Sequence, residues 1–201
     1  MNCEVLVVLL LIALTSADVL DSTGRQTCID EHNRFRGELA RGKVVNEGGE
    51  SLQKAVDMNE LKYNEDLEAK AQDWAKKCKM EHTPDVNYGQ NLWESGGKLD
   101  QVTALKYAAG SWWSEAKKMS PADLVLTDEV WKKHVGHFTQ MAWSHCASVG
   151  CAVQVCKETT LVVCNYDQGN MMNAPIYKAG GESCSACDST RTVCRNDLCA
   201  N

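Results

Sequence analysis

Gly136-His137-Phe138-Thr139-Gln140-Met141-Ala142-Trp143-Ser144 is followed by Leu161-Val162-Val163-Cys164-Asn165-Tyr166-Asp167-Gln168-Gly169-Asn170. Between them lies Val149 to Val155. Each is a short apolar run, and two are rich in valine. Such runs, separated by turn-forming residues, predict strands at Phe138–Trp143, Val149–Val155 and Leu161–Tyr166. Upstream the period changes. Over Gln26–Arg41, residues Cys28, Ile29, His32, Phe35, Arg36 and Leu39 share one helical stripe, with Gly42 as a stop. Asn64 is placed to cap a second helix, with Glu65, Asp66 and Glu68 favourable near its positive end. Its buried face is Leu67, Ala71, Trp74, Ala75 and Cys78. The stretch Met80–Leu99 carries Gly, Asn and Pro and reads as a long loop. Asp100 then caps a third helix, Gln101–Met119, which turns Val102, Leu105, Ala109, Trp112 and Ala116 inward. Helices first and strands later predict a layered α+β domain.

The N-terminus and the cysteines point to export. Val5–Leu14 is apolar and ends in Thr15-Ser16-Ala17, which fits a signal peptide over residues 1–17 cleaved before Asp18. The run is shorter than the roughly 20 apolar residues that a membrane-spanning helix needs. Eleven cysteines are present, and losing Cys3 with the signal peptide leaves ten. So dense an even set predicts disulfides formed in an oxidising compartment. Cys184-x-x-Cys187 has the look of half a zinc ribbon, but Cys194 and Cys199 lack the matching spacing. Of 27 acidic residues Glu4 also departs, leaving 26 against 21 basic ones, a net charge of −5. No Lys/Arg cluster occurs, so nucleic acid is not an expected partner. After Gly180-Gly181 the chain is small, polar and cysteine-rich. The expected organisation is therefore a main domain over 18–179 and a disulfide-held extension over 180–201.

The two opening stretches resemble the paired signatures of the CAP superfamily, the cysteine-rich secretory, antigen-five and pathogenesis-related proteins. Cys78-Lys79-Met80-Glu81-His82 and Gly89-Gln90-Asn91-Leu92 are similar to two further blocks of that family in order and spacing. The cysteine-rich tail and the Cys146/Cys151/Cys156 spacing look most like the venom-allergen-like or activation-associated secreted proteins of parasitic nematodes. The resemblance implies a three-layer α-β-α sandwich around a mainly antiparallel sheet. It also implies disulfides Cys78–Cys156 and Cys151–Cys164. Within that scheme Cys28 is left to join Cys146, and Cys184, Cys187, Cys194 and Cys199 to pair among themselves.

The family's central cleft holds two His and two Glu. On this chain they map to His82, His137, Glu115 and position 90, which is Gln90. A neutral amide neither accepts a proton nor offsets a cation's charge. Two imidazoles still make a candidate Zn²⁺ site at His82 and His137, weak, non-obligatory and lost as they protonate. The alternative is that both rings only tie the layers together by hydrogen bonds. His134 is expected on a solvent-facing loop, His32 at a helix contact or the surface, and His145 exposed. No Gly-x-Ser-x-Gly elbow and no His-Glu-x-x-His pair occurs. With Gln90 in place the reading is non-enzymatic. The protein is expected to be extracellular and to bind a lipid or sterol, or a host protein in immune modulation. The alternative is a zinc-dependent hydrolase using His82, His137 and Glu115. For ligand contact the candidates are Tyr166, Tyr177 and Met171-Met172, although the favoured reading of the methionines is that they fill a gap beneath a strand end. The oligomeric state is open, a dimer included.

Overall fold

The computed structural model describes residues 19–201; the expected signal segment 1–17 lies outside the described residues. Three long helices begin at acidic or amide caps. Asp21 accepts from the Gly24 amide at the start of α1 (Ser22–Ala40), four residues before the expected start. Asn64 accepts from the Asp66 and Leu67 amides at the head of α2 (Glu65–Ala75), and Asp100 from the Thr103 amide at the head of α3 (Gln101–Ser114). These side chains satisfy amides that the first helical turn leaves unpaired. Helix α3 ends sooner than its apolar pattern suggests and tightens into a 3₁₀ turn, Glu115–Lys118. Two short helices follow, α4 (Asp128–Trp131) and α5 (Gly136–Met141).

The sheet contains β1 (Lys62–Tyr63), β2 (Gly89–Gly96), β3 (Ser148–Cys156) and β4 (Thr159–Tyr166) in the order β1-β3-β4-β2. Only the β1–β3 pair is parallel. The register aligns Cys151 with Cys164 and Cys164 with Asn91. Alternation along the strands divides the core in two. Leu92, Ala152, Leu161 and Val163 face one way and pack on Ala71, Trp74 and Ala75 of α2. Val149, Cys151, Val162, Cys164 and Tyr166 face the other way, into the larger cluster with α1, α3 and α5. The result is the expected α+β, three-layer α-β-α sandwich. Among the described residues no helix is long and apolar enough to cross a membrane.

Gly150 sits where β3 passes beneath the first turn of α2. A Cβ there would lie 2.3 Å from the Asn64 carbonyl oxygen and 2.3 Å from the Glu68 nitrogen, both of them backbone. Gly150→Ala is expected to cost about 2 kcal/mol through overpacking, read as a lower urea midpoint at unchanged slope.

Two expected elements are corrected. Phe138–Trp143 is not a strand, since its residues lie largely in α5. Phe138, Thr139, Gln140 and Met141 are all buried, so the run shows no helical period, and the helix is stabilised from outside by Glu115. Met80–Leu99 is not all loop. It contains β2, which pairs with β4 along its whole length although Leu92 is its only fully buried large aliphatic residue.

The disulfides are Cys78–Cys156, Cys151–Cys164, Cys184–Cys194 and Cys187–Cys199. The expected Cys28–Cys146 bond is absent and both residues are buried thiols. Their neighbours explain why. Cys28 on α1 abuts the sheet at Cys151, whereas the Cys146 thiol turns to Asp167 Oδ1 at 3.0 Å. The tail forms a hairpin of β5 (Val193–Arg195) and β6 (Leu198–Ala200). Asn196 and Asp197 between them have positive φ, as a tight hairpin turn requires. Leu198, Cys199 and Ala200 are buried, and backbone bonds link Cys199 to Met58 and Glu60. The extension is thus docked onto the body of the molecule.

Candidate functional site

A cleft of about 480 Å³ opens where β2, the Glu115 turn and the start of α5 meet. His82, Gln90, Glu115 and His137 all line it. His82 reaches it from the segment after α2, which the Cys78–Cys156 bond ties to the end of β3. His137 is the second residue of α5.

Glu115 is fully engaged. Its Oε1 accepts from His137 Nδ1 at 2.7 Å, and its Oε2 accepts from the backbone amides of His137 and Phe138, each at 3.0 Å. One carboxylate therefore caps α5 and orients the imidazole it carries. Gln90 does the equivalent for His82. Its Oε1 accepts from the Thr83 amide at 3.0 Å and from His82 Nδ1 at 3.1 Å, while its Nε2 donates to Thr83 Oγ1 and Asn165 Oδ1. The backbone donor identifies which end of the amide is oxygen. Both imidazoles face an acceptor through Nδ1, so each neutral ring carries its proton there and keeps its lone pair on Nε2. The Trp112 ring lies nearly parallel to His137, with centroids 6.2 Å apart, and donates Nε1–H to the Leu92 carbonyl.

Two imidazoles with Nδ1 held and Nε2 open have the donor chemistry of a metal site. Gln90 and Glu115 are spent on orienting the two rings. The same geometry leaves no idle carboxylate. Glu115 already accepts three hydrogen bonds, and position 90 cannot ionise.

The remaining candidates separate clearly. His145 is exposed, as expected. His32 is fully buried in the core rather than at the surface. His134 is exposed but not remote: it lines the cleft from a residue with φ of 56°. Its position three residues before His137 was the available signal. Tyr166 and Tyr177 are buried and cannot serve as exposed ligand contacts, whereas Met171 and Met172 are exposed rather than tucked beneath a strand. Trp131, not singled out by the sequence pattern, is exposed and stands between the cleft and a neighbouring groove of about 390 Å³ lined by Leu126, Asp128, Asn170 and Met172. Its ring rests on Gly136, where an added Cβ would lie 3.1 Å from it.

The model of the cysteine-rich secretory protein family, CAP, matches residues 29–166, which include most of α1, the other four α-helices, the four-stranded sheet and His82, Gln90, Glu115 and His137. The chain belongs to the CAP family. It is 35% identical over 178 residues to an Ancylostoma secreted protein from Ancylostoma caninum, covering 84% of this chain but only 42% of that protein. Among solved structures it is similar to one described as NaASP2 with Zn²⁺, with a TM-score of 0.81 and 31% identity over 90% of this chain and 97% of that one. BmVAL-1 is similar at a TM-score of 0.83 and 33% identity, covering 90% and 96% of the two chains. The CAP fold thus accounts for the whole α-β-α body.

Proposed function

We propose that this protein is an extracellular, non-enzymatic CAP protein that holds Zn²⁺ at His82 and His137 and uses the cleft to bind a partner. The observation that carries this reading is the pair of fixed tautomers: Gln90 and Glu115 hold each Nδ1 and leave each Nε2 as a donor. A solved CAP relative described with Zn²⁺, at 31% identity, supports the choice of metal. Two protein ligands imply weak binding, with the other positions left to water or to a group of the partner. Bound zinc would supply Lewis acidity. The chain supplies no free carboxylate at the cleft to use it, because Glu115 is committed to α5 and His137.

For the partner, the exposed Trp131 and Met172 beside the cleft favour a protein segment with an apolar side chain. A lipid or sterol is the second candidate. It loses support because Tyr166 and Tyr177 are buried. Four disulfides among the described residues and secreted family members support an extracellular location.

Calorimetry with ZnCl₂ at pH 7.4 tests the site. Wild type is expected to bind with measurable heat, and His82→Ala or His137→Ala to weaken binding at least ~10-fold. Gln90→Glu places an anion behind His82 and is expected to tighten binding by ~10-fold. Binding should weaken on acidification, because a metal binds only the deprotonated form of its ligands. No heat from folded wild type would overturn the metal reading.

A further inference from the structure

The body of the fold holds a second reactive constellation, on the opposite face of the sheet from α2. The Cys28 Sγ on α1 lies 2.9 Å from the Cys151 Sγ, which is itself bonded to Cys164. The three sulfurs all lie within 4.8 Å of one another and all three residues are buried. A thiol touching a disulfide is the reactant pair of thiol–disulfide exchange.

We propose that Cys28, Cys151 and Cys164 form one exchangeable disulfide site, in which the bond moves between Cys151–Cys164 and Cys28–Cys151. The Cys28 thiolate attacks Cys151 Sγ and a new S–S bond forms. The Cys151–Cys164 bond breaks, its electron pair leaves on Cys164 Sγ, and the proton given up by Cys28 ends there. One disulfide and one thiol stand on each side, so no oxidant or reductant is consumed.

Chain connectivity does not hold the bond at Cys151–Cys164. Those residues are already cross-strand neighbours, 13 apart in sequence, so their bond constrains the chain little beyond the sheet itself. Cys28 and Cys151 are 123 residues apart. A bond between them would fasten α1 to β3 and restrict the unfolded chain far more. What holds the closed fold in one isomer is kinetic. Burial, reinforced by the nearby Glu68 carboxylate, pushes the Cys28 thiol well above the usual range, and the thiol is a poor nucleophile until it ionises. Exchange is therefore tied to loosening of α1 from the sheet, during folding or partial unfolding. The other buried thiol, Cys146, lies outside this three-sulfur group and donates a hydrogen bond to Asp167 instead.

Peptide mapping tests this directly. The oxidised protein is held at pH 8 in sub-denaturing urea without added thiol, quenched in acid, alkylated with N-ethylmaleimide in denaturant and digested unreduced. The expected result is a Cys28–Cys151 peptide together with alkylated Cys164, both increasing with incubation and both absent from Cys28→Ser. Finding only Cys151–Cys164 with Cys28 fully alkylated would overturn the proposal. So would equal alkylation of Cys164 in Cys28→Ser, which would place the attacking thiol elsewhere. In Cys164→Ser, Cys151 is expected to bond to Cys28; both of them alkylated in that variant would count against the site. Should that variant not fold, the wild-type map alone decides.

Discussion

Replacing Arg36 with Leu is expected to lower the stability of this protein by about 4 kcal/mol. The estimate follows from the acceptors that the guanidinium serves, not from an ion pair. Arg36 is fully buried. Its Nε and Nη2 donate to the Asn59 carbonyl at 2.9 and 2.8 Å, and its Nη1 to the Met141 and Trp143 carbonyls at 2.7 and 2.9 Å. Nη2 also reaches the carbonyls of Ser144 and Cys146 at 3.2 and 3.4 Å. One side chain thus pairs five backbone carbonyls of two segments that approach each other without forming a sheet. Among the described residues no carboxylate forms a salt bridge with it, though Asp57 and Asp167 lie close enough to favour its charge. Burial pulls the guanidinium down to about 10, which still leaves it charged at neutral pH. Leucine would relieve the cost of a buried charge but would orphan the Asn59, Met141 and Cys146 carbonyls at about 1 kcal/mol or more each, whereas the Trp143 and Ser144 carbonyls keep the Cys146 and Asn59 amides as donors. Lysine keeps the charge with only three donors that cannot span the set, and is expected to cost about half as much. Urea unfolding of Arg36→Leu and Arg36→Lys at pH 7 checks the ordering. A loss under 1 kcal/mol in the leucine variant would mean that water or local rearrangement satisfies the carbonyls.

The same residue shows where sequence reasoning reaches and where it stops. Arg36 falls on the apolar stripe of α1, which marks it as inward-facing, but periodicity does not say what an inward arginine bonds. The three long helices were legible from their apolar stripes, with caps read at Asn64 and Asp100 but not at Asp21, and β3 and β4 from their valine content. The short helix α5 was not, because a segment buried on every side has no period, and its cap is a carboxylate 22 residues upstream. Strand β2 was obscured by its composition, since pairing with β4 rather than apolar content makes it a strand. In the cleft, the residue set of His82, Gln90, Glu115 and His137 came from resemblance to the CAP signatures. What the geometry added is division of labour: Gln90 and Glu115 orient and the imidazoles are left open. The pairing of Cys28 with Cys146 failed because counting cysteines ignores direction, and these two side chains leave their elements toward different neighbours.

Acidification from pH 7 to pH 4 is expected to remove about 3 kcal/mol of stability through His32 alone. The ring is almost fully buried, between α1 and the sheet. Its Nδ1 faces the Cys28 carbonyl at 2.7 Å and must donate, so Nε2 accepts from the Tyr166 hydroxyl at 2.9 Å. The Tyr166 oxygen in turn accepts from Asn91 Nδ2 at 3.2 Å. A second proton on His32 would face the tyrosine hydroxyl and oblige it to give up its donor role. Desolvation is the main reason the imidazole is held neutral, and the nearby Arg36 charge adds to it against the pull of the Cys28 carbonyl; together they bring His32 down to about 4. The sign follows from proton uptake. Once unfolded, the ring protonates near the usual 6.5, so between there and about 4 the unfolded chain holds a proton that the folded one does not. Stability from this residue is therefore complete above pH ~6.5 and lost as the pH falls toward 4, at about 1.4 kcal/mol for each unit of difference between the two states. His32→Gln removes the titration while keeping one donor and one acceptor. It is expected to be less stable at pH 7 but to show a much flatter dependence between pH 6.5 and 4.5 in urea unfolding. If the variant and wild type lose stability in parallel over that interval, the acid sensitivity belongs to other groups and His32 does not carry it.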